Sequence, residues 1–77
     1  MTPAQAFGKV LKQARNKNGS SQEQLALNCD LDRTFISLLE RGQRQPTLTS
    51  ILSISETLKI PADELIKQTT DLLIENN

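Results

Sequence analysis

Residues 21–42 read SQEQLALNCDLDRTFISLLERG, a stretch that carries two helix starts within a dozen residues. Ser21 followed three residues later by Gln24 is a capping-box pattern: the hydroxyl accepts the Gln24 amide proton and the Gln24 side chain reaches back to the Ser21 amide. A short helix therefore starts here, with Leu25, Ala26 and Cys29 turned inward. Asp30-Leu31 makes a tight turn, and Asp32 is a good N-cap for a second short helix, Arg33 to about Glu40. In that helix Ile36 and Leu39 face the core, Phe35 lies on a flank, and Leu38 points elsewhere on the helical wheel. Gly42 ends it. Two short helices joined by a tight turn are a helix-turn-helix.

Outward from this centre the chain reads as helices separated by short turns. Upstream, Phe7, Val10, Leu11 and Ala14 recur at helical spacing, which predicts a helix from about Pro3 to Asn18, stopped by Gly19. Downstream, after an exposed loop from Gln43 to Pro46, a fourth helix is expected from Thr47 to about Lys59. It should bury Leu48, Ile51, Leu52, Ile54 and Leu58. Pro61 suits the start of a brief fifth helix carrying Leu65 and Ile66, because its missing amide proton does no harm there. Residues 69–77 read as a tail with three adjacent apolar residues, Leu72, Leu73 and Ile74. The expected fold class is all-α, a compact five-helix bundle, with residues 1–68 as the domain and residues 69–77 as a C-terminal segment.

Composition narrows the function. The 77 residues make one small domain with an aliphatic core, since there is no tryptophan, tyrosine or histidine and only two phenylalanines. The lone Cys29 excludes an intramolecular disulfide, reads as a small buried hydrophobe and points to a reducing compartment. No apolar run is long enough for a membrane span, and the N-terminus lacks the apolar stretch of a secretory signal, so a cytoplasmic protein is expected. There is no nucleophile–base pair at useful spacing, no metal-ligand cluster and no phosphate-binding glycine loop, which argues against an enzyme. No cofactor, metal or small-molecule ligand is expected.

Net charge is zero, yet its distribution is uneven. Residues 1–45 carry seven cations against four anions, and residues 46–77 two cations against five anions. Such a split presents a basic face to phosphates and leaves the far side acidic.

From Phe7 to Ile66 the sequence resembles the Cro/C1-type (XRE family) repressors. The likeness rests on Phe7-Gly8, Leu11-Lys12, Arg15, Gly19, Ser21-Gln22, Leu25-Ala26, the run Arg33 to Gly42, Pro46-Thr47-Leu48, Ile51-Leu52, Leu58 and Asp63-Glu64-Leu65. Within that family, Leu31 to Ser37 is most similar to the controller proteins of restriction–modification systems. Three positions depart from the pattern. Asp30 replaces the usual turn glycine, Ser20 stands where an apolar residue packs, and Ser55 stands where helix four buries an alanine; slight loosening of the core is expected.

The resemblance implies a lambda-repressor-like bundle and a sequence-specific regulator of transcription, a repressor or an autoregulatory controller, bound to double-stranded DNA. Arg33 and Thr34 would face base edges in the major groove, with Ser37 and Leu38 one turn on. Gln22, Arg41, Gln43 and Arg44 would contact phosphates, and Arg15 and Glu40 would form a structural salt bridge. A single module makes few phosphate contacts, so a homodimer on a palindromic operator is expected. Leu65, Ile66, Leu72, Leu73 and Ile74 are the apolar residues available for its interface, unless some of them close the monomer core. A protein–protein adaptor using the same module is the rival reading, and the zero net charge favours it mildly.

Overall fold

A computed structural model of the protein describes residues 1–76. Five helices follow one another with short connections: α1 Pro3–Asn18, α2 Gln22–Cys29, α3 Arg33–Glu40, α4 Leu48–Leu58 and α5 Ala62–Glu75. Among the described residues there is no strand.

Local chemistry sets most of the boundaries. Thr2, Ser21 and Thr47 each form a reciprocal capping box, with Gln5, Gln24 and Ser50 respectively. The Asp32 carboxylate accepts the Thr34 amide at 2.7 Å to start α3. Gly42, at φ 71°, turns the chain away beyond Arg41, and a Cβ there would press on the Cγ of Gln5 at 2.8 Å. Both the conformation and the space therefore call for glycine.

The core is one aliphatic cluster. Phe7, Val10, Leu11 and Ala14 of α1 meet Leu25, Ala26 and Cys29 of α2, Ile36 and Leu39 of α3, Ile54 and Leu58 of α4, and Leu65 of α5. A second close approach lies at Gly8 of α1. A Cβ there would overlap the Leu39 carbonyl oxygen and stand 2.8 Å from that of Glu40. With no side chain in the way, α1 passes backbone-to-backbone against the end of α3.

Two expectations are corrected. Residues 69–76 do not form a tail; they continue α5 to Glu75, and Asn77 lies outside the described residues. Thr69 and Thr70, β-branched and so weak helix formers, are helical all the same. Their hydroxyls donate to the carbonyls one turn back, Leu65 at 2.8 Å and Ile66 at 2.9 Å, and so are satisfied within the helix. Leu72 then packs against the core, and α5 lies along α1.

The second correction concerns α4. Leu48 and Leu52 are 71% and 51% exposed, not buried. The buried row is Ser50, Ile54 and Leu58, four residues apart, with Ile51 half-buried at its edge. Leu52 lies two residues from Ile54, about 200° around the helix, and faces away. Ser50 can be buried because its hydroxyl donates to the Thr47 carbonyl at 2.8 Å. Ser55 is satisfied in the same way, donating to the Ile60 carbonyl at 2.6 Å where α4 ends.

Candidate nucleic-acid interface

The turn between α2 and α3 depends on one strained residue. Asp30 adopts the left-handed conformation at φ 56° and ψ 43°, which aspartate tolerates better than most residues. The Leu31 amide then donates to the Ala26 carbonyl at 2.9 Å, closing the end of α2. Ile36 and Leu39, both fully buried, anchor α3 from below. Its first turn is left to solvent: Arg33 and Thr34 are exposed. Ser37 and Leu38, one turn further, are half-buried.

Beyond α3 come Arg41, Gln43 and Arg44, all exposed. Arg41 Nε lies 3.4 Å from the Ser37 carbonyl, a long contact that holds its side chain along the helix. Arg44 does something its place in the sequence does not suggest. Its guanidinium carbon stands 5.8 Å from the centroid of the Phe35 ring, back beside the first turn of α3.

Behind the exposed face sits a buried carboxylate. Glu40 Oε2 accepts from Arg15 Nε at 2.5 Å, and Oε1 accepts from Arg15 Nη2 at 3.0 Å. Arg15 also donates from Nη1 to the Ser20 carbonyl at 2.9 Å. The hydrogen bond to Glu40 raises the Arg15 pKa above its ordinary value; burial opposes the shift and the charge of Glu40 adds to it. One guanidinium thus ties α1 to the end of α3 and to the segment entering α2.

Gln22 is tied to the same carboxylate. Its amide, expected on a phosphate, donates to Glu40 Oε1 at 3.0 Å and is half-buried. One of its two amide protons is therefore committed to the scaffold, and only the other remains for an outside ligand.

The apolar residues expected at a dimer interface divide. Leu65 is fully buried, so it belongs to the monomer core and cannot meet a partner. Leu72 packs on the core and Leu73 is half-buried. Ile66 and Ile74 are exposed, as are Leu48 and Leu52 of α4. Cys29 is buried with its sulfur 3.3 Å from the Thr57 hydroxyl. Among the described residues no three His, Cys, Asp or Glu side chains are grouped to hold a metal, and no helix is long and apolar enough to cross a membrane.

This geometry has relatives. A family profile described as helix-turn-helix matches residues 11–65, from the middle of α1 to Leu65 of α5. The chain belongs to the helix-turn-helix family of Cro/C1 type. The control protein C.BamHI of Bacillus amyloliquefaciens is 45% identical over 65 residues, covering 83% of this chain and 80% of that protein. The control protein C.MunI of a Mycoplasma species is 43% identical over 60 residues, covering 77% of this chain and 81% of that one. Among solved structures, the restriction–modification controller protein C.AhdI from Aeromonas hydrophila superposes with a TM-score of 0.78 at 40% identity. That match covers 80% of this chain and 94% of C.AhdI. Members of this helix-turn-helix family are DNA-binding regulators of transcription.

Proposed function

We propose that this helix-turn-helix protein is a cytoplasmic controller of transcription, acting by binding and not by catalysis, that reads a palindromic operator as a homodimer. The observation that carries the reading is the solvent-facing first turn of α3, Arg33 and Thr34, on a helix whose other face is locked into the core. Arginine can hold guanine O6 and N7 in a bidentate way, and the threonine methyl can touch a thymine methyl. Ser37 and Leu38 extend the base-reading surface by a turn, while Arg41, Gln43, Arg44 and the free amide proton of Gln22 reach phosphates. The likeness to C.BamHI, C.MunI and C.AhdI supports a controller role over that of a general repressor.

The dimer is assigned to the exposed apolar residues of α4 and α5, Leu48 and Leu52 with Ile66 and Ile74, and to the half-buried Leu73; the two helices are in contact, whereas the exposed Leu27 stands apart on α2. Two copies place two α3 helices in successive major grooves, about 34 Å apart. Selection of bound sites from random duplex DNA tests the whole reading. The expected result is an enriched site with two-fold symmetry and half-sites one helical turn apart. Failure to enrich any site, with binding to DNA insensitive to salt, would favour the adaptor reading, because phosphate contacts weaken steeply as salt rises.

A further inference from the structure

Arg44 follows the last residue of α3 by four positions, so its place in the chain puts it at the far end of the recognition helix. An eight-residue helix is about 12 Å long, and a loop cation at that end would be remote from Arg33 and Thr34. The structure brings it back. Its guanidinium lies 5.8 Å from the ring centroid of Phe35, the third residue of α3, immediately after Arg33 and Thr34. Phe35 is half-buried and packed against the core, so the ring is a fixed platform. Arg44 is exposed and pairs with no carboxylate among the described residues.

We propose that Phe35 is a positioning residue: its ring holds the Arg44 guanidinium beside the first turn of α3, ready for a DNA phosphate next to the bases that Arg33 and Thr34 read. The attraction is between a cation and the negative face of an aromatic ring, which at exposed sites amounts to roughly two- to five-fold in an equilibrium. Holding a long, flexible side chain in its bound position removes part of the ordering cost of binding. The inference rests on the DNA-binding reading of Arg44 proposed above.

Two measurements on the full chain test it, one without DNA. In the free protein the ring current of Phe35 should shift the Arg44 δ-protons upfield in an NMR spectrum; the shift should vanish in Phe35→Leu and Phe35→Met and persist in Phe35→Tyr. Affinity for a random-sequence duplex is then measured against salt. Arg44→Ala should lower the log–log salt slope by about 1, as loss of one phosphate contact does. Phe35→Leu and Phe35→Met should weaken binding roughly two- to five-fold, Phe35→Tyr should restore it, and adding either aliphatic change to Arg44→Ala should cost nothing further. An absent ring-current shift overturns the placement of Arg44. Equal losses with and without Arg44 overturn the positioning role. An unchanged affinity and slope in Arg44→Ala, with wild-type binding intact, overturns the phosphate contact alone and leaves the DNA-binding reading standing; absence of wild-type binding overturns both.

Discussion

Arg15 grips both carboxylate oxygens of Glu40, 25 residues further along the chain, through Nε at 2.5 Å and Nη2 at 3.0 Å. The pair fixes the C-terminal end of α3 to α1 while the first turn of α3 stays open to solvent. A rigid recognition helix holds its side chains in register for base edges, so a scaffold pair far from those side chains affects what they can read. The Glu40 side chain is only 3% exposed, and the cost of stripping it of its cation is correspondingly high.

Arg15→Ala should therefore destabilise the fold by about 3 kcal/mol, since a buried charge loses its partner. Arg15→Ala with Glu40→Ala should cost less than the sum of the two single changes. Denaturant unfolding of all four proteins checks this, and strictly additive losses would mean that the two side chains do not interact.

Gly8→Ala tests the close approach of α1 to α3. In an open helix this change gains up to about 1 kcal/mol. Here the new methyl meets the Leu39 and Glu40 carbonyls, which are backbone and cannot swing aside, so a net loss of about 1–3 kcal/mol is expected. A variant more stable than the parent would show that the helices have room to part.

How much of this was legible in the sequence depended on whether a signal was local. The capping box at Ser21 and the N-cap at Asp32 are written in adjacent residues, and α2 and α3 follow from them, while α1 follows from the helical spacing of Phe7, Val10, Leu11 and Ala14. Residues 69–75 are helical and not a tail because packing along α1, with Leu72 on the core, outweighs weak β-branched propensity, a long-range contact that the sequence does not display. Leu48 and Leu52 were misplaced because α4 is apolar on more than one side, and periodicity alone does not say which side meets the core. The contacts of Gln22 with Glu40 and of Arg44 with Phe35 had no local signal: each joins side chains from different segments, and only the folded chain brings them together.

The corrected course of α5 changes the outcome expected of truncation. Removing residues 69–77 cuts a helix that lies along α1 and deletes Leu72 from the core, so the shortened chain should lose several kcal/mol of stability and not merely its partner. Point changes separate the residues: Leu72→Ala should cost about 1–3 kcal/mol, whereas Ile74→Ala, at an exposed position, should leave monomer stability within about 0.5 kcal/mol. A truncated protein as stable as the full chain would contradict the packing of Leu72.

Leu48→Glu and Leu52→Glu test the proposed dimer. Both leucines face solvent in the monomer, so the folded chain should accept the charges, whereas an apolar interface would not. Sedimentation should show monomers with native helix content and weaker binding to a palindromic site than the parent, with a single half-site little affected. A dimer that survives both changes would place the interface on other residues.

Arg33 bears the central claim, that the first turn of α3 reads bases. The most direct measurement compares the affinity of the parent and Arg33→Ala for the selected operator, for operators altered one base pair at a time, and for random DNA. The expected result is a loss of roughly 1–3 kcal/mol on the operator, a much smaller loss on random DNA, and relaxed preference at one base position in each half-site. An equal loss on operator and random DNA, with the base preferences unchanged, would make Arg33 a phosphate contact and contradict it.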